Sequence, residues 1–213
     1  MITLYDYLPS QNAWKVRQLL HHLDRAYRTV EVSIFEGEGR TPEFLARNPT
    51  GAVPVLELDD GRCLPESNAI LLYLAEGTEF LPGNPWQRAQ VARWMSFEGD
   101  YVQSGIATLR HWTLTGKLAS RSEEVIAGKR AVSMRTLNIL ERWLADKAYL
   151  VESAYSIADI SVFAYVSLAG DAGLPLQDYP AVFNWTRRVR SQPRFLDVSY
   201  PYSIDEHSVN ELP

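Results

Sequence analysis

The chain has 213 residues, of which 46% are hydrophobic and 22% are charged, and its formal net charge is −5. The hydrophobic share is ordinary for globular proteins and excludes a mostly disordered chain. The negative charge argues against a nucleic-acid partner, which needs a basic surface, and the longest apolar run, 69–75, is too short to cross a membrane.

Short strands and helices alternate in the N-terminal part of the chain. The pattern predicts strands at 2–5, 28–34, 55–58 and 62–64, and helices at 13–23, 41–45 and 67–75. Thr41 and Pro42 are a typical helix start, and Asp60-Gly61 is a typical hairpin turn. In the first helix, Ala13, Val16, Leu20 and Leu23 recur at helical spacing, and Lys15 and Arg17 lie on other faces. The order β-α-β-α-β-β-α predicts an α/β domain whose mixed sheet is covered by helices on both faces.

A change of composition at 82–85 indicates a linker, which we place at 78–86 between domains 1–77 and 87–213. The second domain is predicted to be all-helical, with helices at 86–115, 123–147, 156–170 and 180–192 and an irregular tail at 199–213. Its most regular apolar stripe consists of Ala131, Met134, Leu137, Leu140 and Leu144. Ser156 and Asp159 have the spacing of a capping box at a helix start.

Three segments of the chain resemble the glutathione S-transferase family, and the resemblance covers essentially the whole chain. They are Asn48-Pro49-Thr50-Gly51-Ala52-Val53-Pro54-Val55-Leu56, Pro65-Glu66-Ser67-Asn68-Ala69-Ile70 and the box at residues 156–159. The resemblance implies a thioredoxin-like N-terminal domain that binds glutathione as co-substrate, an all-helical C-terminal domain and a homodimer. The chain's start is similar to the serine-type, theta-like and bacterial classes.

The resemblance also implies where glutathione binds. Val53 and Pro54 are expected to form a cis peptide bond, with the Val53 backbone open to pairing with an extended peptide; the alternative is a plain strand-starting proline. Ser67 is expected at a helix N-terminus that attracts the γ-glutamyl carboxylate, and Glu66 is expected to pair with the amino group. Both residues are also ordinary helix-start residues. Arg40 is the candidate for the glycine carboxylate, with a solvated surface role as the alternative.

Activation of the glutathione thiol needs a donor aimed at the sulfur. Free thiols have a pKa of about 8.5, so little thiolate exists at neutral pH. Ser10 followed by Gln11 resembles the serine-type motif at the entrance of the first helix, and we predict Ser10 as the catalytic hydroxyl and Gln11 as a glutathione contact. Asn12 stands where many related motifs have proline, and its amide is a second candidate for the sulfur. Tyr7 is the alternative hydroxyl, and a plain N-cap is the alternative role of Ser10.

Other candidate residues concern the second substrate and the partner subunit. Tyr7, Tyr101 and Trp112 are candidates for an apolar pocket, although aromatic side chains on helices are more often packed core. The resemblance places Asp100 and Gln103 in a region that reaches across related dimers.

We predict a cytoplasmic glutathione S-transferase whose bound thiolate attacks an electrophilic small molecule or a peroxide. The alternatives are a glutathione-dependent disulfide reductase, which uses glutathione itself as the thiol, and a non-catalytic interaction protein with the same fold. No metal-ligand spacing is present, and residues 1–8 lack the basic start of a signal peptide. The single cysteine, Cys63, excludes a disulfide within the chain and is predicted to be buried.

Overall fold

The computed structural model describes residues 1–152 and 154–213, which divide into two units. The first unit combines Met1–Glu76 with Pro193–Pro213, and the second is Gly77–Gln192. The C-terminal segment therefore clusters with the first unit, whereas the sequence grouped it with the helical domain. Backbone and side-chain contacts to the first helix explain the difference, because Trp14 and Gln18 both hydrogen-bond the backbone of Leu196.

The first unit contains a four-stranded mixed sheet in the order β2-β1-β3-β4. Its elements are β1 (Thr3–Asp6), α1 (Gln11–His22), β2 (Arg28–Glu31), α2 (Pro42–Arg47), β3 (Val55–Glu57), β4 (Cys63–Pro65) and α3 (Ser67–Ala75). β1 is parallel to β2 and antiparallel to β3, and β3 is antiparallel to β4. The predicted element order and mixed sheet are confirmed.

Alternating side chains give the sheet two buried faces. On one face, Tyr5 and Val55 pack with Phe44 of α2 in a hydrophobic cluster. On the other face, the paired residues Leu4 and Leu56 are fully buried. α1 and α3 pack against each other, and α3 also contacts β3 and β4.

β2 is shorter than the predicted strand 28–34. β1 ends at Asp6, which pairs with Glu31, so β2 has no neighbouring strand beyond that point. The chain then forms two short 3₁₀ turns, Ile34–Glu36 and Glu38–Arg40. Gly37 joins them with a φ of +87°, a conformation that glycine adopts without steric cost.

The second unit is helical. It contains α4 (Pro85–Phe97), α5 (Thr108–Leu114), α6 (Glu123–Leu144), α7 (Ile157–Val166) and α8 (Pro180–Arg190). The predicted helix 86–115 is continuous, but its middle part, Glu98–Ala107, is wound as a π-helix. No helix of the described residues is both long and apolar enough to span a membrane.

The buried face of α6 differs from the predicted stripe at two positions. Leu137, Leu140 and Leu144 are buried as predicted, but Met134 and Ala131 are exposed. Ser133 and Thr136 are fully buried. These small side chains form part of the packed face of α6, and Met134 lies outside that face and is exposed.

The capping box at the start of α7 is confirmed. Asp159 is fully buried and accepts hydrogen bonds from the backbone N–H groups of Leu150 and Ser156 and from Trp185 Nε1, at 2.9 to 3.1 Å. Burial raises the pKa of Asp159 to about 6, although these hydrogen bonds favour the ionised form. The carboxylate therefore ties α7 to α8 and to the chain segment before it.

Candidate active site

Ser10 lies at the N-terminus of α1. Its backbone is extended, with φ −69° and ψ 120°, and its Oγ accepts a hydrogen bond from Ala13 N at 3.3 Å. The Ser10 hydroxyl donates to no other described residue, and the side chain is half-exposed. A serine in this position caps the helix with its oxygen, and its hydroxyl hydrogen can be donated to a ligand.

A buried ion pair holds the loop before Ser10. Asp6 at the end of β1 and Arg17 of α1 are both buried, and Arg17 Nη1 lies 2.7 Å from Asp6 Oδ2. Arg17 Nη2 also donates to the backbone oxygen of Leu8. Burial raises the pKa of Asp6, and Arg17 acts against this shift. Arg17 therefore lies inside the first unit. Its face of α1 is buried although it lacks the apolar pattern, because the tail covers that side, with Tyr200 against the guanidinium.

Lys15 connects the N-termini of α1 and α3. Its side chain is fully buried, its Nζ donates to Asn12 Oδ1 at 2.9 Å, and Ser67 Oγ lies 3.5 Å from the same Nζ. The face of α1 that carries Lys15 is therefore also buried. Helical spacing identified the apolar positions of α1 but did not show that the packing of α3 buries this side of the helix.

α3 spans the predicted residues 67–75, but Ser67 is not its N-cap. Ser67 is the first helical residue and is buried, whereas the N-cap is Glu66, which is exposed and has a φ of +70°. The Glu66 side chain makes no capping hydrogen bond. The first-turn N–H groups of α3 therefore have no side-chain cap from this residue, and such a helix start favours a bound anion.

The loop before β3 has an open backbone position. The Val53–Pro54 peptide bond is cis, and Pro54 is buried while Val53 is half-buried. Neither the N–H nor the C=O of Val53 hydrogen-bonds another residue in the described ranges. Asn48 supports this loop, because its Nδ2 donates to the Ala52 carbonyl at 2.7 Å and its Oδ1 accepts from Thr50.

Arg40 packs beside the same loop. Its Nη1 donates to the Thr50 carbonyl at 2.9 Å, and its Nε and Nη2 donate to the backbone oxygen of Pro213 at 3.1 and 3.0 Å. Gly51 makes this approach possible, because a Cβ there would lie 2.6 Å from the Gly39 carbonyl oxygen. The guanidinium remains exposed and able to meet an anion.

Tyr7 has its hydroxyl proton engaged elsewhere. The ring is buried, and the hydroxyl donates to Asp205 Oδ2 at 2.7 Å. Burial, together with this carboxylate, raises the pKa of Tyr7. The ring also contacts Phe35 and Tyr202. Because a phenol has one proton to donate, the contact with Asp205 favours Ser10 over Tyr7 as the donor to a thiolate.

The candidates Tyr101, Trp112, Asp100 and Gln103 lie in the second unit. Tyr101 stacks on Phe97 with ring centroids 5.1 Å apart, and the Trp112 ring faces the Arg121 guanidinium. Asp100 is exposed, and the Gln103 carbonyl accepts from Thr108 Oγ1. Each contact is within the second unit.

Cys63 is only half-buried, contrary to the prediction, because β4 is the edge strand of the sheet. Burial, with Glu57 nearby, raises the pKa of the Cys63 thiol. A raised pKa makes a cysteine a poor nucleophile. Over residues 1–152 and 154–213, no group of three or more His, Cys, Asp or Glu side chains is arranged to hold a metal ion.

Residues 1–76 match the glutathione S-transferase N-terminal domain, and residues 105–193 match the glutathione S-transferase C-terminal domain. The chain belongs to the glutathione S-transferase family. It is 39% identical to a glutathione S-transferase from Pseudomonas fluorescens, whose crystal structure superposes with a TM-score of 0.89 over 92% of this chain and 97% of that chain.

Two family relatives carry different activities in their names. The disulfide-bond oxidoreductase YfcG of Escherichia coli is 30% identical over 200 residues, which is 91% of this chain and 92% of that protein. Glutathione S-transferase 1 of Schizosaccharomyces pombe is 29% identical over 217 residues, which is 90% of this chain and 92% of that protein. Family membership therefore does not decide between transferase and disulfide reductase activity, and both have to be tested.

Proposed function

We propose that the chain binds glutathione at the first unit and ionises its thiol for attack on an electrophilic small molecule. The observation that carries this proposal is the open backbone of Val53, which has no hydrogen-bond partner among the described residues. An extended peptide adds to such a position as a short strand, with its own N–H and C=O as partners. Glutathione is a peptide of this kind.

The ends of glutathione fit the charges around this position. The γ-glutamyl carboxylate would bind the first turn of α3 at Ser67, and Glu66 would pair with the amino group. Arg40 would take the glycine carboxylate by replacing its contact with the Pro213 backbone oxygen. Charge-assisted hydrogen bonds of this type are stronger than neutral ones.

Ser10 would then donate to the sulfur, with Gln11 and Asn12 beside it in the first turn of α1. Lowering a thiol pKa by about two units needs roughly 2.7 kcal/mol of preferential stabilisation of the anion. A hydrogen bond to a charged group contributes about 1.5–3 kcal/mol, and a helix N-terminus adds to it. The hydroxyl keeps its own proton and acts as a donor, as in an oxyanion hole.

In the transfer reaction, the thiolate of glutathione attacks an electrophilic carbon and forms a C–S bond. With an aryl halide, the carbon–halogen bond breaks and halide leaves with its electron pair. The thiol proton is released to solvent when the thiolate forms. No protein group has to become covalently modified in this sequence.

A second candidate, glutathione-dependent disulfide reduction, is favoured by the 30% identity to a disulfide-bond oxidoreductase. Here the thiolate attacks one sulfur of a disulfide, a mixed disulfide forms, and the other sulfur leaves as a thiolate. A second glutathione thiolate then attacks the glutathione sulfur of the mixed disulfide, and the remaining half of the substrate leaves as a thiolate. The products are glutathione disulfide and two thiols. Cys63 is not needed, since glutathione supplies every nucleophilic sulfur.

Several finer expectations remain predictions. The second-substrate pocket is proposed to include Tyr7, Tyr101 and Trp112, and Asp100 and Gln103 are proposed to reach the partner's site in a homodimer. Sedimentation of the purified protein tests the dimer.

Calorimetry with glutathione and with S-methylglutathione tests the binding site, because both peptides carry the same carboxylates and backbone. We expect both to bind with a Kd of a millimolar or better, and glutathione alone to develop thiolate absorbance on the protein. Failure of both peptides to bind at saturating concentration would refute the proposal and leave a non-catalytic role. Parallel assays with an aryl halide and a mixed disulfide then separate the transferase from the reductase.

A further inference from the structure

Lys15 is a charged side chain in a fully buried position, and its contacts are directed at the proposed glutathione site. Buried lysines are rare unless hydrogen bonds compensate the loss of water. The partners of Lys15 Nζ include Asn12 Oδ1 at 2.9 Å and Ser67 Oγ at 3.5 Å. These two residues lie in the first turns of α1 and α3, the helices whose N-termini are proposed to face the thiol and the γ-glutamyl carboxylate.

The contact with Lys15 determines how the Asn12 amide is oriented. A lysine ammonium has three donors and no acceptor, so Asn12 must present its carbonyl oxygen to it. The Asn12 amino group is then at the opposite end of the planar amide. The side of Asn12 away from Lys15 therefore carries N–H groups rather than an acceptor.

We propose that Lys15 is a positioning residue for thiolate formation: it holds Asn12 as a second N–H donor to the sulfur and adds a positive charge behind both helix N-termini. This inference rests on the proposed glutathione binding. In this proposal Lys15 acts through Asn12 and through its charge, not by direct contact with the sulfur. A positive charge within about 4–6 Å of an acid lowers its pKa by about 1–3 units.

The test is the pKa of the bound glutathione thiol, measured from thiolate absorbance against pH. Lys15→Met keeps an unbranched side chain one atom shorter than lysine and removes the charge and the donor, and we expect it to raise the thiol pKa by at least about one unit. Asn12→Asp keeps the acceptor for Lys15 but replaces the N–H donor with a carboxylate, so its thiol pKa should rise by at least as much. At a pH well below the pKa, each unit means about tenfold less thiolate.

Gln18→Met is the matched control. Gln18 is fully buried on the same helix, and its amide bonds Leu196 and Arg194 of the C-terminal segment. The variant should lose stability through these contacts without changing the thiol pKa. If Lys15 had a purely structural role, Lys15→Met would also lose stability and leave the thiol pKa unchanged.

The outcomes separate this inference from the proposed function. An unchanged thiol pKa in Lys15→Met, with glutathione bound and ionised by the unmodified protein, overturns the role of Lys15 and leaves the function standing. If Lys15→Met does not fold, an unchanged thiol pKa in Asn12→Asp overturns it instead. An unmodified protein that binds no glutathione refutes the function and the inference together.

Discussion

Replacing Ser10 with alanine separates the two roles that its position allows. As an N-cap, Ser10 accepts a hydrogen bond from Ala13 N, and loss of such a cap costs about 1 kcal/mol of stability. As a donor to the thiolate, it would contribute about 1.5–3 kcal/mol, which corresponds to roughly 1–2 pKa units of the bound thiol. The second effect appears only with glutathione bound.

Ser122→Ala is a control for the cap alone. Ser122 begins α6 with φ −68° and ψ 150°, and its side chain accepts from Val125 N at 3.4 Å, much as Ser10 accepts at 3.3 Å. Both variants should lower the melting temperature by about 2–4 °C, the shift expected for 1 kcal/mol in a chain of this size. Only Ser10→Ala should raise the thiol pKa.

The assay is a pH titration of thiolate absorbance, combined with kcat for an aryl halide below the thiol pKa. In Ser10→Ala, kcat should fall about tenfold for each unit of increase, while KM for glutathione changes little. If Ser10→Ala loses stability as Ser122→Ala does but keeps the thiol pKa, Ser10 is only a cap. The sulfur donor must then be sought at Asn12 or at a backbone amide.

Three further predictions concern the loop before β3, the Tyr7 hydroxyl and the buried Asp159 of α7. Gly51→Ala should weaken glutathione binding measured by calorimetry, because its Cβ would lie 2.6 Å from a backbone oxygen and its φ is +69°. Gly61→Ala is the control: its φ is also positive but its Cβ would lie in open space. This variant should lower the free energy of unfolding by about 1–2 kcal/mol and leave glutathione binding unchanged. Tyr7→Phe should keep the thiol pKa and speed amide exchange around Asp205, which loses its hydrogen bond; a raised thiol pKa would instead make Tyr7 the donor. The folded-state pKa of Asp159, about 6, lies above the unfolded value of about 3.9, so the free energy of unfolding should fall as pH rises from about 4 to 6, by at most about 3 kcal/mol. Denaturant titrations of Asp159→Asn should lack this fall, and an equal slope in both proteins would contradict the assignment.

The parts of the fold that could be predicted are those set by local chemistry. Thr41 and Pro42 begin α2 as expected, with Thr41 Oγ1 accepting from Phe44 N. Ser156 and Asp159 form their capping box. Such signals act within a few residues, so they appear in the chain before any packing is known.

The parts that could not be predicted depend on contacts distant in sequence. Lys15 and Arg17 are polar by type, and only the packing of α3 and of the C-terminal segment makes them buried. The hydrogen bond of Tyr7 joins residues 198 positions apart. Local pattern therefore left Tyr7 and Ser10 as competing donors, and the hydrogen bond of Tyr7 to Asp205 favours Ser10.

The same distinction between local and overall properties applies to charge. A net charge of −5 disfavours binding of a polyanion, but glutathione carries only two carboxylates and one amino group. At the first unit, the start of α3 and the exposed guanidinium of Arg40 would each bind one carboxylate, and the buried Lys15 would add a positive charge behind the helix starts. Fields from helix ends and nearby cations act over a few ångströms, whereas the acidic groups elsewhere on the surface are screened beyond roughly 8–10 Å at physiological salt. An acidic protein can therefore hold a small anionic peptide and keep its thiol ionised, because the charges that matter are those fixed around the site.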